Sequence, residues 1–143
     1  MEVNGIAHIF LTASNYERSR DFYRKLLSFL ALKPVIDTET TYYCVGGRTA
    51  VGINAPSAEH EDAAFEPQLV RLHHLCFRAR ERADVDELHS FLQTLGAKII
   101  RAPREDQWAP GHYLDPVRRS RWHPAKAQSC AGEGVVGVLR APS

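Results

Sequence analysis

A short apolar segment carrying one histidine occurs twice in this chain, and that duplication restricts the possible architectures more than any other feature. The first copy is Gly5-Ile6-Ala7-His8-Ile9-Phe10-Leu11-Thr12-Ala13, and the second is Arg71-Leu72-His73-His74-Leu75-Cys76-Phe77-Arg78-Ala79. Laid over one another, Ile6 matches Leu72, His8 matches His74, Ile9 matches Leu75, Leu11 matches Phe77 and Ala13 matches Ala79. Alternation predicts a strand in each, with His8, Phe10 and Thr12 on one face and Ile9 and Leu11 on the other. Two matched histidines on two matched strands point to one site shared between two halves of a fold. His73 falls on the face opposite His74 and reads as packing or interface.

The segments that follow repeat the pattern. Ser14-Asn15-Tyr16-Glu17 has the form of a capping box, with Ser14 as the cap and Glu17 reaching back. Phe22, Tyr23, Leu26, Leu27 and Leu30 then recur at helical spacing, and Arg18, Arg20, Asp21, Arg24 and Lys25 form the solvated side. Pro34 forbids simple continuation of that helix and Val35-Ile36 begins a strand. Thr40 to Val45 is strand by composition, and Gly46-Gly47 is a hairpin signal leading into Thr49 to Ile53. After the second copy, Asp84-Val85-Asp86-Glu87 opens a helix carrying Val85, Leu88, Phe91, Leu92 and Leu95. Gly96 stops it, and Lys98-Ile99-Ile100 is the next strand. Between the halves, a stretch of Pro, Ala, Ser and acidic residues without period reads as a linker. His60 lies there beside Glu59, Glu61 and Asp62, and reads as part of a solvated loop.

Bulk properties narrow the function classes. With 143 residues the chain fits one compact unit or two small halves. A formal net charge of +1 makes no general case for nucleic acid or an anionic membrane surface. No apolar run has the length of a membrane span, and Met1-Glu2-Val3-Asn4 does not begin a signal peptide. Cys44, Cys76 and Cys130 are widely spaced and odd in number, as expected of free thiols in a reducing cytoplasm.

Paired strand-helix-strand-strand-strand modules with a histidine in each first strand resemble the vicinal oxygen chelate superfamily. That group contains glyoxalase I, extradiol dioxygenases, and fosfomycin-resistance and bleomycin-binding proteins. The stretches carrying the resemblance are Gly5 to Ala13, Ser14 to Leu32, Thr40 to Pro56 and Leu72 to Tyr113. It implies an α+β fold of two βαβββ modules forming a curved sheet around a cleft. On this basis the chain divides into a first module at 1–56, a linker at 57–69, a second module at 70–113 and an atypical tail at 114–143.

The tail is where the chain departs from the family. Members usually close the second module with Leu-Phe-Glu-Asp-Pro-Asp-Gly-x-x-Leu-Glu, a strand, a turn and a strand bearing a glutamate ligand. Here the chain reads Leu114-Asp115-Pro116-Val117-Arg118-Arg119-Ser120-Arg121-Trp122-His123-Pro124, which is basic, poor in alternation and interrupted by proline. Written back into codons, Leu114 to Ala125 can be encoded so that dropping one base yields Ser-Ile-Leu-Phe-Glu-Asp-Pro-Asp-Gly-Ile-Arg-Leu. We read the second module as altered by a displaced reading frame near Tyr113. Lys126 in the shifted frame still gives Lys or Arg where the family glutamate belongs.

What the resemblance implies for the site is a two-histidine, one-carboxylate metal centre with open positions for a bidentate oxygen ligand. His8 and His74 are the expected imidazole ligands, and Glu133, ahead of Val135 to Leu139, is the substitute carboxylate. The expected cofactor is a divalent metal, Zn, Ni, Mn, Fe or Co, polarising a substrate oxygen or positioning dioxygen. The implied activity is that of a lyase, isomerase or dioxygenase on a small oxygen-bearing substrate, impaired by the altered tail; no general base can be named. The alternative is a metal-free binding protein whose cleft sequesters an apolar or aromatic small molecule. Tyr42 and Tyr43 alternate, so that one faces the cleft and the other the core; Trp108 and His112 are further candidates for ligand contact. Arg118, Arg119, Arg121 and Lys126 form a basic cluster that reads as accidental composition rather than a nucleic-acid site. Open sheet edges lead us to expect a homodimer, with a small-molecule ligand as the other partner.

Overall fold

The computed structural model describes residues 5–60, 74–99, 101–105, 113–118 and 135–140, with the backbone alone at 74–75, 113–118 and 135–140. The chain divides into two compact units, Met1–Ala64 and Phe65–Ser143.

In the first unit the element order is β1 (Ile9–Thr12), α1 (Tyr16–Phe29), β2 (Lys33–Asp37), β3 (Thr41–Gly46) and β4 (Thr49–Asn54), followed by one 3-10 turn at Ala58–His60. The helix cap is Asn15 rather than Ser14: the Asn15 side chain accepts from the Arg18 N–H at 3.1 Å. Starting one residue later brings Tyr16 into the first turn, where it is buried and donates its hydroxyl to the Thr38 carbonyl at 2.8 Å. At the other end Ala31 adopts a left-handed φ of 60°, and the Leu32 N–H closes back onto the Leu27 carbonyl at 2.8 Å.

The first sheet runs in the order β1-β4-β3-β2, with β1 parallel to β4 and the other pairs antiparallel. Its hairpin turn is Gly47-Arg48, both at positive φ, one residue later than the Gly46-Gly47 signal; Gly46 is instead paired with Thr49. Pro34 is tolerated because β2 is an edge strand whose register slips between Pro34 and Ile36. Ile53, Val51, Tyr42 and Cys44 on one face of the sheet, with Tyr23, Leu26 and Leu27 of α1, form a core that is almost fully excluded from water. Asp37 fastens β2 to the helix: its carboxylate accepts from Arg20 Nε at 2.6 Å and from Arg24 Nη2 at 2.9 Å. The hydrogen bond from Arg20, followed by that from Arg24, holds the Asp37 carboxyl below its ordinary range despite some desolvation.

The second unit repeats this plan with β5 (His74–Ala79), α2 (Arg82–Thr94), β6 (Lys98–Ile99), β7 (Arg104–Glu105), β8 (Tyr113–Arg118) and β9 (Val135–Arg140). Asp84 Oδ2 accepts from the Arg80 and Glu81 N–H groups, both at 3.0 Å, so the cap lies ahead of the Asp84-Val85-Asp86-Glu87 signal, with Glu81 as the capping residue. Val85, Leu88 and Leu92 are buried, and Gly96, at φ 65°, ends the helix as expected. The sheet order is β5-β9-β8-β6, with β5 parallel to β9 and β7 also pairing with β8. In register, Ile9 opposes Val51 and Leu75 opposes Val136, so β9 stands where β4 stands in the first unit. The match extends to composition: Val51-Gly52-Ile53 on β4 corresponds to Val136-Gly137-Val138 on β9.

The stretch that broke the family pattern therefore carries a paired strand. The strand β8 begins at Tyr113, where the sequence places the end of the second module, and runs on to Arg118. Its proline is accommodated by a broken edge. Lys98 and Ile99 oppose Arg118 and Val117, Arg104 and Glu105 oppose Leu114 and Tyr113, and Asp115 and Pro116 fall in the gap between β6 and β7. On its other side Pro116 opposes Gly137 of β9, so the proline stands beside one strand rather than between two. Both units are thus βαβββ modules of an α+β protein, the second with its edge strand split in two.

Candidate functional site

The first sheet has a helix-covered face and an open face, and His8 belongs to the open one. Its ring meets Phe10 edge-on with centroids 5.9 Å apart, which the two-residue spacing along one strand makes possible. Phe10 in turn lies parallel to Tyr43, at 5.2 Å and an interplanar angle of 3°. The strand between them supplies the reason. Phe10 and Tyr43 both oppose Gly52 of β4, and the Phe10 ring occupies the space a Cβ at Gly52 would need. A glycine floor under two aromatic side chains gives a flat apolar surface with His8 at its edge. Phe10 remains 46% exposed, so this surface is open within the first unit.

Tyr42 takes the other side of the sheet. It is a core residue, with the Arg24 guanidinium 5.8 Å from its ring centroid, and burial raises its hydroxyl well above the usual tyrosine range. Tyr43 is therefore the tyrosine of the open face. Phe10 and Gly52 were not singled out by sequence reasoning, although alternation already grouped Phe10 with His8; their relation to Tyr43 depends on register, which composition does not reveal.

In the second unit His74 is the first residue of β5 and opposes Val135, so its place matches that of His8. Cys76 stands where Phe10 stands, opposite Gly137. Burial pushes the Cys76 thiol up to about 11, which favours the protonated thiol at neutral pH. His60 is exposed at the end of its 3-10 turn. His73, Trp108, His112, Arg119, Arg121, Lys126 and Glu133 lie outside the described residues.

Whether the side chains suit the metal implied by the resemblance can be judged from the closing strands. That resemblance expects a carboxylate on the last strand of the second module. The strand in that position is Val135-Val136-Gly137-Val138-Leu139-Arg140, and its counterpart β4 is Thr49-Ala50-Val51-Gly52-Ile53-Asn54. Neither bears an acid. Among the described residues no three His, Cys, Asp or Glu side chains are grouped so as to hold a metal ion. Among the described first and closing strands the donor set stops at imidazole, and the expected carboxylate, Glu133, lies outside the described residues.

Two βαβββ modules, each with a parallel first-to-last strand pair and a histidine at or just ahead of the start of its first strand, define a class of fold. The Glyoxalase/Bleomycin resistance protein/Dioxygenase superfamily profile matches residues 5–118, and the chain belongs to that family. Its members are typically metal-dependent. Solved structures share the fold at low identity. A glyoxylase/bleomycin resistance protein/dioxygenase domain from Frankia sp. EAN1pec superposes with a TM-score of 0.71 at 18% identity, covering 99% of this chain and 100% of its own. Lactoylglutathione lyase from Agrobacterium tumefaciens gives 0.64 at 20% identity, covering 98% and 96%. A genomically encoded fosfomycin resistance protein from Listeria monocytogenes gives 0.65 at 11% identity, covering 99% and 96%. No curated protein matches the chain. No described helix is long and apolar enough to cross a membrane.

Proposed function

We propose that the chain is a small-molecule-binding protein of this superfamily, holding a flat apolar or aromatic ligand against the open face of its first module. The observation that carries the reading is the parallel Phe10–Tyr43 pair over Gly52, partly exposed and edged by His8. Aromatic faces of this kind stack with planar ligands, and a single polar group at the rim orients what is bound. The absence of an acid from β4 and β9 supports binding over metal-centred turnover.

A second reading, a metal-dependent lyase, isomerase or dioxygenase with His8, His74 and Glu133 as ligands, is favoured by the like places of the two histidines, each one residue ahead of the matched pairs Ile9–Val51 and Leu75–Val136. The proposal includes a cytoplasmic homodimer; the edge position of β2 and the exposure of Val35 and Ile36 on it support association.

The neutral fluorophore N-phenyl-1-naphthylamine separates the readings. Binding that saturates, survives EDTA and weakens at least tenfold in Phe10→Ala and Tyr43→Ala is the expected result. Binding that needs added metal, or that vanishes in His8→Ala combined with His74→Ala while Phe10→Ala is silent, overturns the first reading in favour of the second.

A further inference from the structure

Register sorts the open face of the first module into three rows across the sheet. The middle row is Phe10, Gly52, Tyr43 and Ile36. One flank is Ala50, Val45 and Lys33, with His8 at its head, one residue ahead of the Ile9–Val51 pair. The other flank is Thr12, Asn54 and Thr41. The aromatic and aliphatic row is therefore bordered by an imidazole on one side and by two hydroxyls and an amide on the other. The backbone of that second border is fixed at Asn54: the Ala13 N–H donates to the Asn54 carbonyl at 3.0 Å, and the Ala55 N–H to the Thr40 carbonyl at 2.8 Å. Thr41 is held in turn by Thr38, whose Oγ1 accepts from the Thr41 N–H at 3.0 Å.

Within this border Asn54 differs from its neighbours. Its Oδ1 is excluded from water and accepts no hydrogen bond from the described residues. The Asn54 backbone carbonyl is already engaged by Ala13, so the want of a donor is confined to the side chain. A buried acceptor without a donor costs free energy, and a molecule that brings an O–H or N–H to it recovers that cost. We propose that Asn54 selects the ligand of this face: a neutral, planar aromatic molecule carrying an O–H or N–H donor at one end of its ring system. Such selection rests on the binding function proposed above and adds what the ligand must present. Two residues along a strand span about 7 Å, which a fused bicyclic ring covers, so a ligand stacked on the middle row brings its terminal substituent to the Asn54 row. Asn54 is only partly buried as a residue, and its terminal amide turns about a soft torsion to meet the incoming donor. Thr12, Asn54 and Thr41 carry no charge, so the border favours a neutral donor over an ammonium group. A ligand that ends in an ether oxygen or a C–H leaves Oδ1 unmet and is rejected.

The test is a fluorescence titration of the full chain at neutral pH with 2-naphthol, 2-methoxynaphthalene and naphthalene. The expected result is that 2-naphthol binds at least tenfold tighter than the other two, although it is the most polar of the three. In Asn54→Ala and in the size-matched Asn54→Leu the three should bind alike. In Asn54→Asp, which keeps an acceptor of the same size, the preference for 2-naphthol should persist. Phe10→Ala should weaken all three. Thermal melts without ligand report whether each variant folds, and either Asn54→Ala or Asn54→Leu suffices for the comparison. Equal binding of three ligands that all depend on Phe10, the outcome if water alone meets Oδ1, overturns the proposal and leaves the binding function standing. So does a preference for 2-methoxynaphthalene, or a preference for 2-naphthol that survives in Asn54→Ala or Asn54→Leu. Failure of all three ligands to bind saturably overturns both.

Discussion

Substituting Gly52 by alanine has an effect whose sign depends on Phe10. An ideal Cβ at residue 52 falls within the Phe10 ring, with Cζ at 2.8 Å and Cε1 and Cδ1 closer still. Since Phe10 is 46% exposed, its ring can swing away, but only by giving up the parallel contact with Tyr43 and the edge contact with His8. Aromatic pairs of this kind contribute about 1 kcal/mol. Forcing a side chain off its rotamer costs roughly 1 kcal/mol more. Against this, replacing glycine within a strand gains about 0.5–1 kcal/mol by restricting the unfolded chain. Gly52→Ala should therefore destabilise by about 1 kcal/mol, or about 3–4 °C in Tm for a chain of this length. In the Phe10→Ala background only the gain remains, and the same substitution should stabilise by about 0.5–1 kcal/mol. Urea unfolding of the four proteins in the cycle measures both values. If Gly52→Ala stabilises the parent chain, or if its effect is the same with and without Phe10, then the ring does not lie over Gly52 and the aromatic surface described above does not exist.

Two further predictions concern how α1 is held. Ala31 occupies a left-handed position at the end of α1, where α2 has Gly96, so Ala31→Gly should stabilise by about 0.5–1 kcal/mol, read as a higher urea midpoint. The Asp37 carboxyl is held low by Arg20 and then Arg24, so its contribution to stability is present above the ordinary carboxylate range and lost as pH falls through the depressed folded-state value. Asp37→Asn should lower the urea midpoint at pH 7, and the gap from the parent should close as the pH is taken towards 2; a gap independent of pH refutes the Arg20–Asp37–Arg24 arrangement.

Much of the architecture is legible from residues because it rests on local periodicity. The duplicated histidine strand, the apolar stripes of Tyr23, Leu26 and Leu27 and of Val85, Leu88 and Leu92, and the stop at Gly96 all depend on spacing within one element. Failures begin where local signals compete. Ser14 and Asn15 are both good caps, and only the burial of Tyr16 decides between them. Pro116 and the neighbouring arginines argue against a strand at Tyr113–Arg118, since nothing local reveals that the edge beside it is split. Val135 to Leu139 reads as apolar but gains its meaning from pairing with β5, far away in sequence. The first-module surface was half visible: His8 stands out by motif, and Tyr42 and Tyr43 only as an alternating pair of which one faces it. The apposition of Phe10, Gly52 and Tyr43 is a product of register across three strands.

The central claim is that Val135–Arg140, a strand without a carboxylate, closes the second module in the place that Thr49–Asn54 occupies in the first. Amide hydrogen exchange resolved by NMR measures this directly. The account predicts that alternate amides of Val135–Arg140 exchange slowly, as those of Thr49–Asn54 do, with short backbone proton contacts between Leu75 and Val136 in parallel register. Exchange across Val135–Arg140 at the rate of unstructured chain, or slow exchange without contacts to β5, would contradict it.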